Sequence, residues 1–446
     1  MAAPTLPLKI SLTQIQGPAT KSTPHPALAR SHHTLTVIND QATIFGGRHD
    51  SDSPEADASE SRPALCPPAI HILTLPTNNG TTLEPPTTYQ TAYTCYPPFT
   101  LQDAFTGETL VPSARQDHAA CAGGGGRFLL VHGGRDAAAA GRAIDEGSCL
   151  WRWDWEQLSW AKLRGDSQQL GVAGGMRPRW GHWIFADEPQ GFLVLVGGKG
   201  EEHHGGGGGM AAEEGEADTE TEVWMYDFNA LAWTTLPRAP AKPLAAAYVR
   251  GTVYIVSRDA AGDRVAVHCM DMRESPTERE KPGALVWQTV TVGADPQSPR
   301  PKPREGGALV PLTTGHGREY LVYMFGRSAP DVSGDEPGLE YFSDIWTLQL
   351  PTKGFSLASA KDKIQKEMPA MASGEFRWAE AEIVPTEQMI EGGKVHPGPR
   401  AFFGADTCLG GRGVVLWGGV NAKGENEGDG WIVRLAYGYA DSDRWE

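Results

Sequence analysis

The sequence is short of paired cysteines, basic residues and long apolar runs, and each shortage removes a class of protein. Its six cysteines, Cys66, Cys95, Cys121, Cys149, Cys269 and Cys408, are scattered, with no CxxC pair. A structural zinc site needs closely spaced thiolates, so no metal is expected, and the cysteines read as reduced packing thiols of a cytoplasmic protein. Lys and Arg number 39 against 55 Asp and Glu, a formal charge of −16. Proteins that wrap nucleic acid neutralise phosphates with clustered cations, so no nucleic-acid partner is expected. No stretch reaches the roughly 20 apolar residues of a membrane span, and the opening Met-Ala-Ala-Pro-Thr-Leu-Pro lacks a basic then apolar leader. Helical periodicity is scarce as well.

What is abundant is glycine (54), proline (34) and tryptophan (14), a composition of many short strands joined by turns. The chain also repeats itself. The unit is Pro-Arg or Ala-Arg, a His or its substitute three residues on, an apolar run ending in Gly-Gly, an alternating strand, then Trp. Clear copies start at Ala29-Arg30-Ser31-His32-His33 with Gly46-Gly47, at Ala114-Arg115 with His118 and Gly133-Gly134, and at Pro178-Arg179 with His182 and Gly197-Gly198. Two of these continue into Trp151 and Trp160, and into Trp224 and Trp233. Worn copies run from Val253 to Trp287, from Pro303-Arg304 through Gly326 and Trp346 to Trp378, and from Pro399-Arg400 through Gly418-Gly419 to Trp431.

Six such units in register predict an all-β, six-bladed β-propeller with one four-stranded sheet per unit. The blades are expected over about 28–100, 111–165, 176–238, 243–293, 300–385 and 396–436 of a single domain spanning 1–446. The last unit stops without a fourth strand, while Leu8 to Ile15 precedes the first unit with no blade of its own. Residues 8–17 are therefore expected to complete the last blade and close the ring, since an open ring would leave unpaired edges. The Gly-Gly pairs read as backbone turns that exclude a Cβ, and the repeat His and Trp as packing between blades.

These motifs resemble the Kelch repeat over nearly the whole chain. The first copy, His33 to Asp40 followed by Gly46-Gly47-Arg48, is also similar to the Kelch-like half of wybutosine-synthesising methyltransferases, whose methyltransferase half is absent here. Insertions fall at 49–68, 84–111, 199–222, 328–340 and 351–375. The Gly- and Glu-rich 199–222 is expected to be a mobile, solvated loop, a poor scaffold for a metal at His203 and His204. Gly123 to Gly126 reads as a hairpin tip.

Function should sit on the loops joining second and third strands, all on one face of a propeller. The residue after each Gly-Gly position is Arg48, Arg135, Lys199, Arg258 or Arg327, with Val420 the exception. In Kelch propellers that bind acidic peptides, this position and the one two residues past the repeat Arg line the mouth. The resemblance carries the latter onto His32, Asp117, Gly181, Gly306 and Phe402. Arg48, Arg135, Lys199, Arg258, Arg327, His32, Asp117 and Phe402 are thus the candidate ligand-binding residues. They suit an acidic peptide, an acidic protein partner or an anionic small molecule bound by a monomer; neighbouring acids such as Asp136 or Glu201 could instead neutralise the cations. The alternative is a cofactor-independent lyase, isomerase or cyclase with His32, His49 and Asp117 as acid/base candidates. A third reading, help to a tRNA-modifying methyltransferase, rests on the first repeat alone. No P-loop, GxSxG or strand-to-helix GxGxxG is present, so no cofactor is expected.

Overall fold

The computed structural model describes residues 6–18, 26–49, 64–76, 88–98, 110–137, 142–146, 148–163, 165, 176–200, 219–273, 285–292, 299–314, 318–328, 339–351, 375–384 and 394–436. Residues 201–218, which hold most of the Gly- and Glu-rich segment and the His203–His204 pair, lie outside them. Six antiparallel four-stranded sheets occupy 34–96, 119–163, 183–236, 245–289, 308–380 and 404–435, the last with a strand from the start of the chain. This is a six-bladed β-propeller. Blade two shows the pattern: Ala119–Gly123, Phe128–His132, Leu150–Asp154 and Ser159–Leu163, with the glycine run at a hairpin tip between the first two strands.

Second strands sit between neighbouring sheets, so both faces need apolar side chains. Phe192–Val196 and Gly413–Trp417 are accordingly buried at every residue. Innermost strands face the axis and are buried less uniformly, as in Thr34–Ile38, where Thr34 and Val37 are half-buried. Buried aromatics fill the wedge between sheets, with Trp153 and Trp160 at 5.5 Å and Tyr226 and Trp233 at 5.0 Å between ring centroids.

The strand Lys9–Gln16 pairs antiparallel with Gly430–Leu435, from Ile10 opposite Leu435 to Ile15 opposite Gly430. Leu8, Ile10 and Leu12 pack in one core cluster and Ile15, on the other face, in a second, all at 1% exposure or less, so the strand is buried on both sides and a slip by one residue would drive Ser11 and Thr13 into the aliphatic cluster. Its outer edge is partly covered by two short parallel strands, Glu382–Ile383 from blade five and Thr88–Gln90 from the blade-one insertion. Covered in this way, the last strand to join is not a bare edge.

The repeat residues tie each blade to the next. Arg30, Arg115, Arg179, Arg304 and Arg400 are at most 1% exposed. Each donates Nη1 to the carbonyl at the first position of its own Gly-Gly turn: Gly46 (2.8 Å), Gly133 (2.9 Å), Gly197 (3.1 Å), Phe325 (3.1 Å) and Gly418 (2.9 Å). At the second position, Gly47, Gly134, Gly326 and Gly419 donate N–H to the next blade's Arg115, Arg179, Arg400 and Arg30 carbonyls at 2.8–2.9 Å. That approach needs φ near +90 to +105° and leaves no room for a Cβ, which at Gly134 would lie 2.9 Å from the Gln116 carbonyl. His118, His182 and His33 pack against the first glycines Gly46, Gly133 and Gly418 of the preceding blades. A carboxylate completes four of the arginine sites: Glu146, Glu222, Asp344 and Asp429. In blade one the partner is instead His71 Nε2 at 2.9 Å.

Blade four lacks this apparatus. Aligned on its first strand, Ala241 stands for the arginine, Pro243 for the residue two beyond it and Leu244 for the histidine, while Ser257-Arg258 replaces Gly-Gly, since Val256 pairs with Ala245 as Val196 does with Trp183; Arg258 itself thus holds the second turn position rather than the one after it. Without the glycine turn, its second strand runs straight on through Thr252–Arg258, seven residues where the other full blades have five or six. On the opposite face blade four is held like the rest: Tyr248 donates to Asp187 of blade three (2.5 Å), and Arg250 pairs with Glu319 of blade five.

Candidate functional site

The ends of the inner strands enclose a cavity of about 1190 Å³ lined by residues of all six blades. Its floor is a ring of left-handed residues. His32, Asp117, Gly181, Gly306 and Phe402 all have φ between 53 and 65°. Four backbone bonds link them around the axis: Phe402 N–H to Gly306 C=O (2.7 Å), His32 to Phe402 (2.8 Å), Asp117 to His32 (3.0 Å) and Gly181 to Asp117 (2.7 Å). A positive φ is costly for an ordinary side chain, so its recurrence in five blades marks a position where this backbone bond is the requirement.

Above the floor, short ladders hold the turn residues at the rim. Ser31 and Arg48 exchange backbone bonds of 2.9 and 3.0 Å, and Gln116 and Arg135 bonds of 2.9 and 3.1 Å. Arg179–Trp180 pairs with Lys199–Gly200, and Arg304–Glu305 with Arg327–Ser328. All eight ligand-binding candidates, Arg48, Arg135, Lys199, Arg258, Arg327, His32, Asp117 and Phe402, line this one cavity. His49 does not: it points away along the short strand Arg48–His49, which pairs with Ala64–Leu65, and it is absent from the lining. The physical reason is the alternation of side chains on a strand, which turns successive residues to opposite sides.

Six cationic side chains line the cavity, the five expected ones and Lys242, against the carboxylates Asp117, Glu220 and Glu305. Arg135 donates Nε to Asp117 at 2.6 Å, Arg327 contacts Glu305 at 2.6 Å, and Lys242 contacts Glu220 at 2.5 Å. Three of the neutralising acids are thus residues across a ladder or turn, while the expected acid Glu201 lies outside the described residues. Arg327 lies over the Phe402 ring at 4.9 Å, and Phe402 stacks on His32 at 4.2 Å with 12° between planes. Burial, reinforced by Arg48, Arg135 and Arg327, holds the His32 imidazole well below its ordinary pKa, so it is neutral at pH 7. Burial raises Asp117 above the usual carboxylate value, although Arg135 opposes the shift.

The repeat acids Glu222, Asp344 and Asp429 were not singled out from the sequence, yet a signal is there. Each lies two residues before a tryptophan whose Nε1 donates back to it, Trp224 (3.1 Å), Trp346 (2.6 Å) and Trp431 (3.0 Å). An acid-x-Trp triplet at the start of the third strand is therefore a readable part of the unit.

No family model matches the chain, and no curated protein matches it. Among solved structures it is similar to the one titled "Structure of YjhT", with 14% sequence identity and a TM-score of 0.49 over 91% of this chain and 93% of that chain. Among the described residues no cluster of metal-ligating side chains occurs, and no helix is long and apolar enough to cross a membrane. The chain is a six-bladed β-propeller, closed by its own first strand, with one large cavity at the mouth of the ring.

Proposed function

We propose that this propeller is a Kelch-type binding module that docks an anion, whether an acidic peptide, an acidic protein segment or a small carboxylate, in its mouth. The observation that carries the reading is charge: six cations against three carboxylates converge on one cavity of a chain whose formal charge is −16. A concave site with low-dielectric walls focuses that local excess, attracting anions to a surface that otherwise repels them. Arg over an aromatic face is also preorganised for bidentate contact with a carboxylate.

The test is binding of a fluorescein-labelled hexaglutamate peptide. Binding should weaken steeply with salt, and Arg48→Glu, Lys199→Glu and Arg258→Glu combined should abolish it. Equal affinity in wild type and triple variant would sink the reading.

A second reading, a cofactor-independent lyase, isomerase or cyclase, is favoured by the neutral His32 beside the buried Asp117 in the same cavity. A neutral imidazole can accept a proton that a cationic one cannot. Metabolite profiling of a deletion strain discriminates: a changed metabolite restored by wild type but not by His32→Gln supports an enzyme.

A further inference from the structure

The backbone ring on the cavity floor is closed across four blade interfaces and open at the two that flank blade four. The cause is Pro243. At the ring position proline has no N–H to give to the Gly181 carbonyl, and its fixed φ near −65° denies it the left-handed conformation that aims the next carbonyl at Gly306. Among the described residues the Gly181 carbonyl accepts no hydrogen bond and the Gly306 N–H donates none. Both glycines line the cavity, as does Pro243 between them. The shared φ of the ring residues aims these two groups towards blade four, one acceptor and one donor without partners. The floor is also uneven. Phe402, His32 and Asp117 fill it on blades six, one and two, whereas a Cβ at Gly181 would meet nothing within 4 Å. Lys199, laddered to Trp180, Lys242 and Arg258 are the cations that blades three and four, and the segment joining them, bring to the cavity.

We infer that the anion site is off-axis, over blade four, and takes a small dicarboxylate bearing a hydroxyl or amide donor next to a carboxylate. The donor binds the Gly181 carbonyl, one carboxylate accepts the Gly306 N–H, and Lys199 and Arg258 compensate the charge. This rests on the anion-binding reading and narrows it to a free small molecule. An unpaired acceptor and donor favour ligands that satisfy them over ligands that do not, by about one hydrogen bond where, as at the exposed Gly181, water can otherwise fill the place.

L-malate and succinate, which differ by one hydroxyl, are the probes, titrated calorimetrically into the full chain. Wild type should bind malate roughly fivefold more tightly, the worth of about one hydrogen bond. Gly181→Asn keeps the left-handed backbone, which Asn tolerates, and fills the open space; it should weaken both ligands at least tenfold with melting unchanged. Lys199→Gln should weaken both equally and leave their ratio intact. Equal affinities for the two acids, with loss on Arg48→Gln but not on Gly181→Asn, would overturn the off-axis site and spare the anion-binding reading. No binding of either acid, together with no binding of hexaglutamate, would overturn both.

Discussion

Blades three and four adjoin and have the same four-strand order, yet they are held in the ring by different means. Blade three carries the full apparatus: Arg179 reaches both the Gly197 carbonyl and Glu222, and Gly134 of the preceding blade donates to the Arg179 carbonyl. Blade four has Ala241, Pro243 and Ser257-Arg258 at the matching positions, and in place of the repeat contacts keeps its apolar faces, the Lys242–Glu220 pair at the mouth and the polar contacts at the far end. The difference teaches that the repeat motif is chiefly a device for the mouth face. Packing with a few side-chain contacts seats a blade; the motif decides which backbone groups at the mouth are used up and which stay available.

The outer strands give the largest expected contrast. Removing residues 6–16 strips the closing strand, paired at six positions and carrying four buried apolar side chains, and should abolish cooperative unfolding by circular dichroism. Replacing Gln288 and Thr289, both exposed and the whole fourth strand of blade four, by Gly-Ser should cost less than about 2 kcal/mol in chemical denaturation. A truncated chain that melts like wild type would refute ring closure.

Next come the buried arginines. Arg179→Met leaves Glu222 mostly buried without its principal partner and should cost about 3–5 kcal/mol. Arg30→Met should cost less, because blade one supplies His71 where the other blades have a carboxylate, and none is left stranded. Urea titrations of the two variants measure the difference.

Acid should act on the blade interfaces that have a histidine and not on those of blade four, where Leu244 takes its place. Burial pushes His118 and His132 down to about 3, so both are neutral in the folded state. The unfolded chain takes up these protons below pH 6.5, so the stability they contribute is complete above that value and falls as pH drops towards 3. At pH 5 the loss is on the order of 2 kcal/mol per histidine. His118→Gln should flatten the pH dependence of unfolding by that amount, whereas Leu244→Ala should shift it in parallel.

Smaller effects separate the turns. Gly134→Ala forces a Cβ to 2.9 Å from the Gln116 carbonyl at φ 105° and should cost about 1–3 kcal/mol, while Ser257→Gly, at the first turn position of blade four's continuous strand, should cost about 1 kcal/mol. Smallest of all, Pro243→Asn restores an N–H and a residue tolerant of the left-handed region. It should add about 0.5–1.5 kcal/mol by closing the ring on Gly181, and should weaken malate.

Much of this was legible in the sequence because a repeat reports on itself: Arg, Gly-Gly and Trp recur at fixed offsets, and the orphan strand ahead of the first unit matches the gap in the last. The cations of the rim followed from their offset to the turn. His49 did not follow, since its placement depends on which side of a two-residue strand it faces. The ion pairs Arg135–Asp117 and Arg327–Glu305 and the short strands that cover Lys9–Gln16 join segments far apart in the chain, and no local pattern encodes them. Pro243 was hidden for another reason. Its role appears only when a worn blade lacking its arginine is aligned on the strand that follows.

The pairing of Ile10 with Leu435 also has a consequence for synthesis. A ribosome adding about 5–20 residues per second makes the closing strand roughly 20–90 s before its partner exists. Throughout that interval Leu8, Ile10, Leu12 and Ile15 have no native surface to cover them, and blade one can form while its neighbour on the far side is still unmade. A strand translated ahead of all six blades is thus the last to be buried, a nascent-chain stretch open to chaperone capture until the final blade emerges.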